Sequence, residues 1–179
     1  MGQIFRLETP AYSNSKVQLG QVIALGLSQD DGGWCLASLL VEPAMRVALG
    51  RIVPADLARV DGDVIRLRMS PATFESLPLG EDSDRVAVTP TAYALYTHRT
   101  RLSRLAVKAK FPKGQWGITA PLPIAGPFGA RSWPRGVVCG PDGRVEELLI
   151  RGHRFIGRRT VSVPVEALVV KQGSLRLNT

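Results

Sequence analysis

The residues with the clearest chemistry are two groups of basic side chains in the second half of the chain. Arginine and lysine bind backbone phosphates and release counterions, and an interleaved aromatic ring can stack on an unpaired base. The first group is Arg99, Arg101, Arg104, Lys108, Lys110 and Lys113. The second is Arg151, Arg154, Arg158 and Arg159, with Phe155 between them. This pattern predicts binding to RNA, although a solvated basic rim with Phe155 packed inward fits the same residues.

Charge is unevenly distributed along the chain. The net charge is +8 at pH 7, but residues 1–86 carry eight basic and eleven acidic residues, or −3. Residues 87–179 carry fifteen basic and four acidic residues, or +11. A half-chain this cationic attracts polyanions such as RNA, an anionic lipid surface or an acidic protein face. Selection for solubility alone would also produce a net charge of this size.

Residues suited to catalysis do not converge in the sequence. His98 and His153 are the only histidines, and both lie among arginines with no carboxylate nearby, which disfavours a nucleophile, histidine and carboxylate triad. Glu146 and Glu147 are adjacent, and adjacent strand residues point to opposite faces of a sheet. No glycine pattern of the phosphate-binding kind is present. We therefore expect a protein that is not an enzyme and that needs no cofactor or metal.

Two cysteines, Cys35 and Cys139, lie far apart in apolar segments with the composition of strands. Neither belongs to a Cys-x-x-Cys motif, and no histidine stands at a spacing suited to zinc. Free cysteine behaves as a small hydrophobic residue, so two buried free thiols are predicted. A disulfide between them is the alternative.

No part of the chain has the pattern of a membrane-spanning helix. Such a helix needs roughly 18 consecutive apolar residues, and Glu42, Pro43 and Arg46 interrupt the most apolar window, residues 34–49. The first residues also lack the basic region and the apolar run of a secretory leader. We therefore expect a soluble, cytoplasmic protein.

The segments that must position the basic residues include an internal repeat. Residues 53–60, Val-Pro-Ala-Asp-Leu-Ala-Arg-Val, return as residues 163–170, Val-Pro-Val-Glu-Ala-Leu-Val-Val. The offset is 110 residues, and it stays constant through the alternating segments 64–68 and 174–178. A recurrent pattern of this kind indicates one structural unit that is used twice.

Both copies have the pattern of short antiparallel strands joined by tight turns. In the first copy, apolar segments 21–27 and 34–41 flank an Asp-Asp-Gly-Gly turn, which indicates a β-hairpin. In the second copy, segments 136–139 and 145–150 flank a Pro-Asp-Gly turn. The dipeptide Ser70-Pro71 is typical of a helix start, with a capping hydroxyl and a proline at the first helical position.

The region between the copies is less regular. Residues 105–111 alternate apolar with small or basic side chains, which predicts an antiparallel strand with two lysines on its outer face. The Pro- and Gly-rich run 121–134 predicts a long surface loop.

These patterns resemble the PRC-barrel family. PRC-barrels are the small β-barrels shared by the photosynthetic reaction-centre H subunit and the C-terminal domain of a bacterial 16S rRNA maturation factor. In the first copy the resemblance rests on Leu19-Gly20-Gln21-Val22, Arg51-Ile52-Val53-Pro54, Val60-Asp61-Gly62-Asp63 and Ser70-Pro71. In the second copy it rests on Asp142-Gly143-Arg144-Val145, Gly157-Arg158-Arg159 and Val163-Pro164. Members of this family serve in assembly and docking, so the resemblance implies a role of that class and not a reaction.

We therefore expect an all-β protein of two tandem PRC-barrel-like β-barrels with short helical turns. The first unit is predicted over residues 1–80 and the second over 81–179, with the core repeat at 134–179. Because the core repeat is too short to bury a stable core alone, it must pack on preceding strands, on the first copy or on a second chain in a homodimer. The predicted function is docking to RNA or a ribonucleoprotein through the basic half. A scaffold on an anionic membrane or an acidic protein surface is the alternative.

Overall fold

The chain folds almost entirely into β-strands. The computed structural model describes residues 2–43, 50–80, 110–119, 124–125, 131–151, 160–171 and 174–178. Within these residues there are fourteen strands, one short α-helix and two single-turn 3₁₀ helices. The strands form two curled seven-stranded sheets, so the predicted all-β class is confirmed.

Six of the seven strands in the first sheet come from the first half of the chain. They are β2 (Pro10–Tyr12), β3 (Gln18–Asp30), β4 (Gly33–Pro43), β5 (Arg51–Pro54), β6 (Ala58–Asp61) and β7 (Val64–Leu67). Their order across the sheet is β5, β4, β3, β2, β7, β6. All neighbours are antiparallel except β2 and β7, which are parallel.

The second sheet has a corresponding strand order. Its strands are β9 (Ile124–Ala125), β10 (Arg131–Cys139), β11 (Val145–Arg151), β12 (Thr160–Pro164), β13 (Leu168–Lys171) and β14 (Ser174–Leu177). Their order is β12, β11, β10, β9, β14, β13, which matches the first sheet strand for strand. The one parallel pair, β9 with β14, also corresponds to the parallel pair of the first sheet.

The seventh strand of each sheet comes from the other half of the chain. Strand β1 (Gln3–Arg6) pairs with β10 of the second sheet, where Phe5 lies opposite Val137. Strand β8 (Gln115–Thr119) pairs with β3 of the first sheet, where Ile118 lies opposite Leu25. Because β1 precedes β2 and β8 precedes β9 in sequence, the two halves exchange corresponding strands. Each sheet is therefore completed by a strand that lies outside its own half.

Corresponding prolines set the same local structure in both sheets. Pro54 (φ −56°, ψ 137°) and Pro164 (φ −54°, ψ 139°) each end a strand and begin a 3₁₀ helix. Proline is suited to the end of a strand because it has no N–H to donate to the neighbouring strand, and because its ring fixes φ. The hairpins that follow keep the offset of 110 residues, with Ala58 opposite Leu67 and Leu168 opposite Leu177.

The helix predicted at Ser70-Pro71 is confirmed as α1 (Pro71–Glu75). Its cap is the side chain of Ser70, whose Oγ accepts a hydrogen bond from the backbone N–H of Thr73 at 3.1 Å. The helix presents Phe74 to the core, and this side chain is buried. The chain then runs on to cover the edge of β5.

One hydrophobic core joins the two sheets. The main cluster of buried side chains includes Leu25 and Leu39 from the first sheet together with Val137 and Leu148 from the second. All four side chains are fully buried. Since burial of one such side chain stabilises a fold by about 1.5–3 kcal/mol, the shared cluster holds the sheets together as one body.

One prediction for the region between the copies needs correction, and another lies mostly outside the described residues. The predicted loop 121–134 contains β9 and the first residues of β10. Pro134 is accommodated because the register of β10 shifts between Pro134 and Gly136, and bulges tolerate proline. Of the predicted strand 105–111, only Lys110 and Phe111 are described, and both lie outside any strand.

Candidate binding surface

Only part of the predicted basic surface falls within the described residues. Lys110, Lys113 and Arg151 are described. The other members lie outside the described residues: Arg99, Arg101, Arg104 and Lys108 in the first group, and Arg154, Phe155, Arg158 and Arg159 in the second.

A phenylalanine anchors the described end of the first basic group. The ring of Phe111 lies over Gly26 of β3 and Gly117 of β8, which are opposite each other in the ladder. A Cβ atom at Gly26 would come within 2.6 Å of the ring, and one at Gly117 within 2.5 Å. Both positions therefore need glycine, because any side chain there would displace the aromatic ring.

The backbone beside Phe111 is held by two hydrogen bonds. The N–H of Lys110 donates to the carbonyl of Gly80 at 2.7 Å, and the N–H of Gln115 donates to the carbonyl of Pro112 at 3.1 Å. Phe111 is half-buried, and Lys110 and Lys113, which flank it in the sequence, are exposed. Two cations are thus presented from a segment whose backbone and aromatic anchor are held by the sheet.

The described basic residues are divided between the two sheets. Lys110 and Lys113 lead into β8, which belongs to the first sheet through the strand exchange. Arg151 ends β11 in the second sheet, opposite Trp133 on one side and Thr160 on the other, and it is half-buried. The described contacts do not bring Arg151 together with the two lysines.

A second charged cluster joins the tight turns of the two sheets. Arg144 forms ion pairs with Asp30 at 3.1 Å and with Asp142 at 3.5 Å. The hydrogen bond from the Gly32 N–H lowers the pKa of Asp30, and the Arg144 guanidinium lowers it further. The hydrogen bond to Asp30 and the negative charge of Asp30 in turn raise the pKa of Arg144. These side chains are largely exposed, and exposed pairs contribute little to stability. The Arg144–Asp30 pair connects the turn of the second sheet with the turn of the first.

The backbone continues the contact between these turns. Cys35 and Arg144 form an isolated antiparallel bridge, and the N–H of Leu36 approaches the carbonyl of Gly143 at 3.4 Å. Because β4 and β11 occupy corresponding places in the two sheets, this contact joins equivalent strands. It resembles the self-complementary contact of a two-fold dimer.

Trp34 links the halves from inside the core, and no local sequence pattern points to it. Its Nε1–H donates to the carbonyl of Leu168 at 3.2 Å. Its ring also meets Trp116 edge to face, with 5.6 Å between centroids. Both contacts cross between residues more than eighty positions apart, which local sequence patterns do not reveal.

Both cysteines are free thiols. Cys139 is buried, and this burial raises the pKa of its thiol to about 12. Burial also raises the pKa of Cys35, and its thiol donates weakly to Asp30 Oδ2 at 3.7 Å. A thiol that stays protonated is a poor nucleophile, so neither group is activated for chemistry.

Across the described parts of the chain, no group of three or more histidine, cysteine, aspartate or glutamate side chains is placed to hold a metal ion. No helix among these residues is long and apolar enough to cross a membrane. In comparisons with known proteins, no family model matches the chain and no curated protein is significantly similar to it.

Proposed function

We propose that the protein is a docking or assembly module that is not an enzyme and that binds RNA or a ribonucleoprotein surface. In this proposal the two halves are copies of one PRC-barrel-like unit. The corresponding strand orders of the two sheets support the idea of two copies. The shared core and the exchanged strands support a rigid body with preformed surfaces, which suits docking.

The choice of RNA as the partner rests on the exposed lysines Lys110 and Lys113, which lie in a segment anchored by the ring of Phe111. Phe111 and the Lys110 backbone hold exposed lysines against the first sheet, and the second half of the chain carries a net charge of +11. Because the backbone of this segment is already held, it loses little backbone freedom on binding, so phosphate contacts there are favoured.

The test is RNA binding as a function of salt. A fluorescent single-stranded RNA should bind with an affinity that falls linearly with salt on logarithmic axes. The double substitution Lys110→Gln and Lys113→Gln should lower the slope by about 1.4, because each single-strand phosphate contact contributes about 0.7. RNA affinity that stays flat from low to high salt would contradict the proposal.

A matched control separates local contacts from net charge. Lys16 lies in the turn between β2 and β3, at the opposite end of β3 from the segment that pairs with β8, and Arg59 lies on β6. Both side chains are exposed. The double substitution Lys16→Gln and Arg59→Gln removes the same charge and should leave the salt slope unchanged. Sedimentation with anionic vesicles instead of RNA binding would favour the membrane scaffold.

A further inference from the structure

We propose that the outer edge of β12 binds an extended segment of a partner protein in which an apolar residue is followed by an acidic one. This site is separate from the Lys110 and Lys113 segment proposed above to bind RNA, because it recognises backbone hydrogen-bonding groups and side chains of a peptide.

The first sheet contains a template for such binding. The segment Leu77–Gly80 lies along the outer edge of β5 as a short antiparallel partner, with Leu79 opposite Arg51. The N–H of Ile52 donates to the carbonyl of Pro78 at 2.9 Å, and the N–H of Gly80 donates to the carbonyl of Gly50 at 2.9 Å.

The backbone of Gly80 in the template lies close against the outer face of the first sheet. A Cβ atom at Gly80 would lie within 2.4 Å of Leu40 Cδ1 and within 2.5 Å of Ile52 Cδ1. Leu40 is 0% exposed and Ile52 is 7% exposed, and the side chains of Ile23 and Phe111 also pack against this cluster. The covering residue must therefore be glycine, since these two side chains fill the space.

Strand β12 occupies the corresponding place in the second sheet. Ile52 lies opposite Leu40 on β4, and Ser162 lies opposite Leu149 on β11. Leu149 is half-exposed and Ser162 is exposed, in contrast to their counterparts. Among the residues that the structure describes, none pairs with the outer edge of β12.

The register determines which groups β12 offers. Ser162 corresponds to Ile52, whose N–H binds the template, and Thr160 corresponds to Gly50, whose carbonyl binds it. The N–H of Ser162 and the carbonyl of Thr160 therefore point outward, as a donor and an acceptor for one added strand. Pro164 has no N–H and ends the edge. The docking segment is therefore short, about three residues, and it pairs around Val161.

The side chains of β12 and β11 define the chemistry of the partner. Val161 is 42% exposed and takes the place of Arg51, so the residue opposite it should be apolar. The next partner residue takes the place of Gly80. Ser162 is smaller than Ile52, so this position has room for a side chain. Arg151 lies opposite Thr160 on the same face, and its charge favours a carboxylate there. Glu147 is on that face too, toward the Pro164 end, where it accepts a hydrogen bond from the Ser162 hydroxyl.

The probe is a peptide taken from the template itself. It has the sequence of residues 75–81, Glu-Ser-Leu-Pro-Leu-Gly-Glu, with the change Gly80→Glu. We expect this peptide to shift the NMR amide signals of residues 160–163 in the isotope-labelled protein. A second peptide with Gly80→Lys should bind about three- to fivefold more weakly, because it loses one exposed ion pair and places a cation beside Arg151.

Protein variants identify the groups responsible. Ser162→Pro removes the outward donor and the hydroxyl that donates to Glu147 Oε2, but no ladder hydrogen bond, and it should abolish the shifts. Arg151→Gln should weaken the acidic peptide about three- to fivefold and leave the lysine peptide less affected. The control Arg176→Gln removes the same charge from β14, three strands away across the sheet, and should have no effect. If Ser162→Pro does not fold, the comparison of Arg151→Gln with the control Arg176→Gln still tests the inference.

Hydrogen exchange of the free protein tests whether the edge is open. The Ser162 amide should exchange quickly, while the amides of Val161 and Val163, which face β11, should exchange slowly. Slow exchange at Ser162 at every protein concentration would mean that this chain covers its own edge. Slow exchange only at high concentration would mean that a second copy covers it. Either result overturns the inference, as would shifts at residues 160–163 with RNA but not with the peptide.

Discussion

The pairing of β1 with β10 predicts that a disulfide will form between position 3 and Cys139. Gln3 and Cys139 lie opposite each other in the antiparallel ladder, where Cα atoms are about 4.5–5.5 Å apart. Disulfides span Cα separations of about 4.4–6.8 Å. The variant Gln3→Cys, made together with Cys35→Ser so that two thiols remain, should therefore oxidise to one intramolecular cross-link.

The cross-link should stabilise the protein by several kcal/mol. It closes a loop of about 136 residues (139 − 3), for which the loss of chain entropy in the unfolded state gives about 5 kcal/mol. The substitution also removes the hydrogen bond that Gln3 Oε1 accepts from the N–H of Val60 at 2.9 Å, which costs about 1 kcal/mol. The oxidised variant should thus exceed the unsubstituted protein by about 4 kcal/mol in free energy of unfolding.

Non-reducing gel electrophoresis detects the cross-link, and urea unfolding with and without reductant measures its effect. Because the pKa of Cys139 is raised to about 12, oxidation needs a copper catalyst. The matched control is Ile4→Cys, since Ile4 is the next residue on β1 and points to the opposite face. A Gln3→Cys protein that stays reduced, or equal cross-linking in both variants, would refute the exchange of strands.

Three further predictions concern stability. Replacing Phe111 with alanine should lower the free energy of unfolding by about 1–3 kcal/mol, because the ring is half-buried over its paired glycines. Gly117→Ala should lower it by a similar amount, because the added methyl group displaces the ring. Urea unfolding measures both changes, and a neutral result for either would contradict this packing. Ser70→Ala should cost about 1 kcal/mol through loss of the helix cap, which a thermal melt measures against Ser70→Thr, a variant that keeps a capping hydroxyl. Because burial raises the folded-state pKa of Cys139 from 9.0 to about 12, its contribution is fully present below pH 9.0 and is lost as the pH rises toward 12. Cys139→Ala should therefore lose less stability between pH 8 and pH 11 than the unsubstituted protein, and equal losses would contradict this assignment.

Local patterns predicted much of the fold. The Asp-Gly turns, the Val-Pro strand ends and the helix start at Ser70 each depend on backbone geometry that a few neighbouring residues impose. The structure has turns, strand ends and a helix at these positions. The corresponding registers of β6 with β7 and of β13 with β14 also follow the constant offset of the sequence.

The exchanged strands were not predictable in the same way. Strand β1 is four residues long and β8 is five, and neither carries a turn signal that names its partner. Their partners lie in the other half of the chain, so only tertiary packing selects them. The anchor of the first basic group was missed for the same reason. Phe111 reads as an ordinary apolar residue until the two glycines beneath it are brought together by β3 and β8.

The long sequence separation between β1 and its partner strand β10 affects how the chain folds during synthesis. A ribosome adds about 5–20 residues per second, so β1 waits roughly 7–27 seconds before β10 has been synthesised. During that time the apolar side of Phe5 and Leu7 has no sheet to join, and the nascent first half is exposed to wrong pairings. Productive folding must therefore finish late, after translation has delivered the second half, and slow synthesis would prolong the need for chaperone protection.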